Sequence, residues 1–397
     1  MEPSAEVQAF RALLTPQGAA LLARIPPYDS AKPLAAAAQL RREGVDPDLA
    51  AAALTQARLR ARARTKLGAA ADRMWFTADG LEQATRPAVA AGHARRFATV
   101  DPQRLVDLCC GIGGDLVALA GAAAAALGVD RDPLTVEVAV ANAAAAGVGD
   151  RVEVRREDVT ATDLAGVDAA FVDPARRSST GRALDPRSWS PPFPFVLELA
   201  GRVPATGAKL APGVPHGVLP LDAEAEWVSD GGDVVECALW CGPLATAGVR
   251  RRATLLPSGA TLTGDGTRTG TVGVVGRYLV EPDGAVIRAG LVAEAADLVE
   301  GRLLDPTIAY LTCDRRPETP FGTAYEVTDV LPFGLKRLRT YLRDRGVGRL
   351  TVKKRGTAVQ PETLRKQLRL HGDSEATIVL TRIAGQQSVL VVEPLDR

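Results

Sequence analysis

A chain of 397 residues, 46% hydrophobic and 24% charged, is long enough for two or three domains with real cores and excludes a disordered polymer. Its 48 lysines and arginines nearly balance 47 acidic residues, so any surface that attracts a polyanion must be local. Cysteines 109, 110, 237, 241 and 313 form no pair of CxxC units, and His93, His216 and His371 have no spaced partner, so neither a disulfide framework nor a metal site is expected.

The first ten residues, "MEPSAEVQAF", lack the basic start and apolar core of a secretion signal. No run reaches the ~18 apolar residues of a membrane span, and the expectation is a cytoplasmic protein without a membrane partner. Residues 1–98 read as a helical region. Thr15-Pro16 and Asp46-Pro47 each join a capping side chain to a proline suited to the first helical position, and Gly44 and Gly68 are natural stops. Arg58, Arg60, Arg62, Arg64 and Lys66 crowd the end of the second such helix, as a solvated face favoured by the helix dipole or as an RNA contact.

From 99 to 257 short apolar runs alternate with helical ones. "RLVDLCC", "AALGVD", "RVEVRRED", "DAAFVDPA" and "GAKLAPG" read as strands, and "GDLVALAGAAAA" and "DPLTVEVAVANAAAAG" as crossover helices. That rhythm predicts an α/β fold, a Rossmann-like doubly wound, mainly parallel sheet. "DVVECALWCG" and "VRRATLLP" follow with a short connection and predict a hairpin at the sheet edge. Residues 258–324 read as a linking region, with a turn at Pro282-Asp283-Gly284. Residues 325–397 repeat strand and helix and predict a separate small C-terminal α/β domain.

Ligands of a parallel sheet sit beyond the carboxyl ends of its strands. "VDLCCGIGGD" places Asp107 at the first strand's end and Gly111, Gly113 and Gly114 in the turn after it. Asp130, Asp158 and Asp173 end or follow the next three strands, one acid per strand end. Leu116 occupies the third glycine position of the dinucleotide fingerprint, which argues against a nicotinamide cofactor, and no GK[ST] follows the loop to hold a triphosphate. Asp115 adds acid where a pyrophosphate would bind. An acid-flanked glycine loop suits a cationic, phosphate-free ligand, and S-adenosylmethionine, with its sulfonium and amino group, is the favoured cofactor.

"VDLCCGIGGD", "GVDRDPLTVEVAVANAAAAGV", "RVEVRREDV" and "DAAFVDPARR" together resemble the successive signature segments of class I S-adenosylmethionine-dependent methyltransferases. "WFTADGLEQATRPAVAAGHARRF" is similar to a stretch before the first strand of trimethylguanosine synthase-like RNA methyltransferases, and the resemblance covers residues 75–175. The tail resembles the THUMP-like domain of a bacterial branch of methyltransferases. The resemblance implies that Asp107, Gly111 and Gly113 cradle the methionine part, Asp130 the ribose, and Asp158 with Val159 the adenine. It also implies a catalytic position at Asp173-Pro174, where Asp173 accepts a hydrogen bond from the target amine. Ala175 and Arg176 depart from the proline and aromatic of amine methyltransferases, which leaves Trp189 or Phe193 to supply stacking and Arg176 to grip a phosphate.

Between Lys336 and Arg369 only Asp344 and Glu362 oppose a dense set of basic residues, among them Lys336, Arg339, Lys353, Lys354 and Arg355. Such a patch neutralises phosphates, and those five residues are the expected RNA contacts. The expected function is therefore methylation of RNA. A non-catalytic RNA-binding protein that keeps the fold, or a small-molecule methyltransferase, are the alternatives. Cys237 and Cys241, the cysteines that a pyrimidine-carbon mechanism would need, sit in an apolar strand where core packing is expected.

Overall fold

The computed structural model describes residues 3–26, 35–175, 177–178, 181–182 and 185–395. The chain divides into two compact units, one of residues 1–223 and 238–246, the other of residues 224–237 and 247–397.

The first unit begins with helices α1 (Ala5–Leu14), α2 (Pro16–Arg24), α3 (Ala35–Arg42), α4 (Pro47–Leu67), α5 (Ala78–Gln83) and α6 (Pro87–Ala98). The predicted caps are made: Thr15 accepts from the Gly18 amide and Asp46 from the Leu49 amide, each ahead of a proline that fits the first turn. Most of the basic end of α4 is tied down locally. Arg60 lies over the Trp75 ring at 4.6 Å and donates to the Met74 carbonyl, and Lys66 donates to the carbonyls of Leu81 and Glu82. Phe10, Leu13, Leu59 and Phe76 share one apolar cluster with Ile112 and Val138, so the helical region and the glycine loop are held by the same core.

Strands β1 (Arg104–Leu108), β2 (Ala125–Asp130), β3 (Val152–Arg156) and β4 (Ala169–Val172) follow, with α7 (Gly114–Leu119) and α8 (Pro133–Ala145) as crossovers. After the two-residue pair β5 (Arg177–Ser178) and β6 (Gly181–Arg182) come α9 (Phe193–Arg202) and β7 (Ala205–Leu210). The parallel strands run β3-β2-β1-β4-β7, and strand order reverses between β1 and β4. A ligand crevice belongs at that reversal, outside the ends of β1 and β4. β4 and β7 are buried along their whole length, as a strand covered on both faces must be.

The second unit contains β8 (Glu224–Asp230), the start of β9 (Asp233–Trp240), β10 (Arg251–Leu256) and β11 (Ala260–Gly264). The predicted hairpin between the strands now called β9 and β10 does not form. β10 pairs in parallel with β8 and antiparallel with β11, and the tight hairpin is β8–β9, closed by Gly231 and Gly232 at φ of 64° and 92°. Residues 258–324 also supply β12 (Tyr278–Pro282), α10 (Gly284–Ala289), α11 (Val292–Leu298), β13 (Arg302–Asp305) and β14 (Ile308–Cys313).

The tail follows the predicted rhythm: β15 (Gly322–Pro332), α12 (Leu335–Asp344), β16 (Val347–Lys354), α13 (Pro361–Leu368), β17 (Ser374–Ile383) and β18 (Gln386–Pro394). A seven-stranded sheet runs β13-β14-β12-β15-β18-β17-β16. Leu338 and Leu342 of α12 and Leu364 and Leu368 of α13 pack on Ile378, Leu380 and Val389 of that sheet, which turns the basic faces of both helices outward.

Candidate active site

At the end of β1 the chain turns through three positive-φ residues, Cys109 (63°), Gly111 (55°) and Gly113 (83°), before α7 begins. A side chain on Gly111 would meet nothing within 4 Å, so open space lies over the loop there. Gly113 faces α8 instead, with Ala139 3.5 Å from where its Cβ would stand. Leu116, at the missing glycine position, is wholly buried, and its Cδ2 would lie 2.5 Å from any Cβ on Gly128 of β2. The glycine that allows helix and strand to approach is thus carried by the strand. Cys110 packs in the same cluster.

The loop opens onto a cavity of about 1100 Å³. Its described lining includes ten carboxylate side chains and one arginine, Arg131, so the space favours a cation and repels a phosphate. Asp107, Gly111, Asp130, Asp158, Val159 and Asp173 all line it, whereas Gly113 and the buried Pro174 stand behind the wall. Asp107 is 1% exposed, and its Oδ2 has no hydrogen-bond partner among the described residues. Burial, with Asp115 and Asp173 nearby, pushes its carboxyl well above the usual range. Asp130 accepts from the Gly111 amide at 3.1 Å through Oδ2 and from the Asp132 amide at 3.0 Å through Oδ1, which ties β2 to the loop. Asp158 is exposed, and Thr160 holds its carboxyl below the usual range by donating from its hydroxyl and its amide.

Asp173 is only partly buried, and its Oδ2 accepts from Lys209 Nζ at 2.6 Å. Arg176 lies outside the described residues. Ala175 exchanges backbone hydrogen bonds with Ser190, which sets Ser190, Pro191 and Pro192 into the cavity wall beside Asp173. The expected stacking platform is not there: Trp189 and Phe193 are 3% and 5% exposed and pack edge to face on each other, away from the lining. Cys237 and Cys241 are buried, and desolvation pushes the Cys241 thiol up to about 11.

The sequence marked Asp115 as acid beside the glycine loop but missed Lys209, Thr85 and His93 as its partners around Asp173. Lys209, Thr85, Asp115 and His93 form a hydrogen-bonded chain behind it. The one readable signal was a lysine inside an otherwise apolar strand, "ATGAKL".

In the second unit, Lys336 is exposed on α12, and Arg339 donates to the Gln367 carbonyl at 2.6 Å. Lys354 donates to Gln360. Lys353 is paired with Glu281 at 2.6 Å, and Arg355 donates to the Ala309 carbonyl over the Tyr310 ring. No helix among the described residues is long and apolar enough to cross a membrane, and no group of His, Cys, Asp and Glu among them could hold a metal.

A protein of Mycobacterium tuberculosis strain H37Rv described as an uncharacterised S-adenosylmethionine-dependent methyltransferase is 38% identical over 335 residues, which cover 82% of this chain and 90% of the relative. The chain belongs to the S-adenosylmethionine-dependent methyltransferases. The same match is found in the CDC 1551 strain. A crystal structure of a candidate methyltransferase from Porphyromonas gingivalis W83 superposes with a TM-score of 0.73 at 20% identity, over 94% of this chain and all of that one, and so shares its fold. Residues 322–394 match the family described as THUMP domain-like, and residues 6–63 match a domain of unknown function.

The site fits the cofactor. S-adenosylmethionine brings an ammonium, a sulfonium and a ribose and no phosphate, which matches an acid-lined cavity. The Oδ2 of Asp107 has no hydrogen-bond partner among the described residues and can take a donor such as an ammonium, and open space lies over Gly111.

Proposed function

We propose that this methyltransferase acts on RNA and that the methyl group goes to a nucleobase nitrogen presented to Asp173. The observation that carries the RNA reading is the basic helix layer of the THUMP domain-like segment. Lys336, Arg337 and Lys366 are exposed there, and Arg339 and Arg343 hydrogen-bond to backbone carbonyls and pair with no carboxylate among the described residues. Such a layer releases counterions when it meets a phosphate backbone. Within the acid-lined cavity a phosphodiester is repelled, so the base enters while its phosphates stay outside.

Bound in the cavity, S-adenosylmethionine supplies an electrophilic methyl group. Asp107 holds the ammonium of its methionine part, Asp130 the ribose hydroxyls, and Asp158 with Val159 flank the adenine. Asp173 accepts a hydrogen bond from the acceptor N–H and aims the nitrogen lone pair at the methyl carbon. Orientation of the two reactants is the main gain the protein provides.

The test is transfer of labelled methyl to RNA from a strain lacking the gene, by the wild type and by Asp173→Ala. Label in RNA that depends on Asp173 supports the reading, and RNA bound but never labelled selects a binding protein instead. The acid lining favours, as a second reading, a small cationic acceptor. Label in metabolites with none in RNA would select it.

A further inference from the structure

Behind Asp173 lies a layer of buried charge that has no part in the proposed cofactor contacts. Lys209 of β7 is 6% exposed, and its Nζ donates to Asp173 Oδ2 at 2.6 Å and to Thr85 Oγ1 at 2.8 Å. An ammonium can only donate, so the Thr85 hydroxyl must pass its own proton onward, and it donates to Asp115 Oδ2. The other oxygen of Asp115 lies 2.8 Å from His93 Nδ1, and the His93 ring packs on Phe171 and Trp240 at centroid distances of 4.9 Å and 5.8 Å. The direction of every hydrogen bond from Lys209 to Asp115 is therefore fixed.

Asp173 is the member of this chain that reaches the partly open cavity wall next to Ser190 and Pro191. Asp115 lines the cavity as well but is 7% exposed and engaged on both oxygens. A lysine placed only to stabilise the sheet would gain nothing from ending there, because burying an ammonium is costly and an apolar residue packs a strand better.

We propose that Lys209 is the positioning residue for methyl transfer: tethered by Thr85 and Asp115, it fixes the Asp173 carboxylate before the acceptor arrives. This rests on Asp173 orienting the acceptor. It also narrows the acceptor class. A carboxylate that shares its charge with an ammonium accepts hydrogen bonds well but is a poor base, so it suits a nitrogen with its own lone pair and not a hydroxyl that must first lose a proton. In the transfer, the nitrogen lone pair forms the new N–C bond and the electron pair of the broken C–S bond stays on sulfur. The N–H proton, made acidic by the positive nitrogen, leaves past Asp173 to water.

The test uses the full chain and Lys209→Met, Lys209→Arg, Thr85→Val and Asp173→Asn. The first arm needs no acceptor. The melting-temperature gap between wild type and Lys209→Met should narrow from about pH 8 to about pH 5, as the abandoned carboxylate takes up a proton. Because Asp107, Asp115 and His93 are ionisable groups of the same cluster, the gap is measured again in the Asp173→Asn background, where it should lose its pH dependence. The second arm is label transfer to RNA. Lys209→Met should lower kcat about 100-fold with KM for S-adenosylmethionine within about threefold, and Lys209→Arg should recover about tenfold of the loss. In the Asp173→Asn background Lys209→Met should add less than about threefold. Additive losses, or a stability gap that ignores pH and Asp173, overturn the proposal. If Lys209→Met does not fold, Thr85→Val carries the same measurements, with about a tenfold loss of kcat expected. Label in metabolites with none in RNA would refute the RNA reading, and the same comparison of Lys209→Met with wild type on the labelled metabolite then decides the positioning role; no label in either overturns it.

Discussion

Replacing Asn142 by leucine, a side chain with the same branching and number of heavy atoms, removes three hydrogen bonds in a single change. Asn142, on α8 and 2% exposed, accepts from the Trp75 amide at 2.7 Å and donates to the carbonyls of Trp75 at 3.0 Å and Ile112 at 2.8 Å. It therefore ties the segment before α5 and the glycine loop to one helix. At about 1 kcal/mol net for each bond, the three together are worth about 3 kcal/mol, and backbone groups left buried without a partner raise the cost. For a unit of this size that corresponds to a fall of roughly 6–12 °C in melting temperature. Ile112 lies between Gly111 and Gly113, so loosening its carbonyl should also weaken S-adenosylmethionine binding by about tenfold, near 1.4 kcal/mol. Thermal and urea unfolding of the free protein and titration calorimetry read the two effects separately. Stability within about 1 kcal/mol of wild type would refute the reasoning, because it would mean that the backbone of Trp75 and Ile112 finds other partners.

Asp130→Ala removes the brace on the Gly111 amide and, on the proposed reading, a ribose ligand, and calorimetry should show cofactor affinity reduced by about 100-fold or more. Asp107 gives a pH signature. Its carboxyl sits well above the usual range, through burial and through Asp115 and Asp173, and an ammonium bound beside it, as proposed, should draw it to the ionised form. Binding then releases a proton and tightens as pH rises toward that raised value, and Asp107→Asn should flatten the dependence. Lys336→Ala and Arg337→Ala should each weaken RNA binding and lower the slope of affinity against salt by about 1, with little change in melting temperature. Lys353→Ala should behave differently, lowering stability by about 1 kcal/mol through the loss of its bond to Glu281.

The strands and the acids at their ends were legible because each signal is local. A run such as "RLVDLCCGIGGD" announces strand, turn and helix within a dozen residues. The tail's alternation was readable for the same reason. What escaped the sequence depends on contacts across the chain. Lys209 meets Asp173 across 36 positions and Thr85 across 124, and nothing in "GAKLAPG" names either partner. The hairpin was misplaced because β10 and β8 pair in parallel, a register that no short connection reveals. Trp189 and Phe193 were expected at the acceptor because aromatic character is visible in a sequence, whereas their burial against each other is not.

The route of the backbone through the two units has a consequence during synthesis. The first unit contains residues 1–223 and then 238–246, with residues 224–237 given to the second unit in between. As the polypeptide leaves the ribosome, the methyl-transfer half cannot complete itself until part of its neighbour has already emerged. Neither unit can be separated whole from the other by a single cut of the chain.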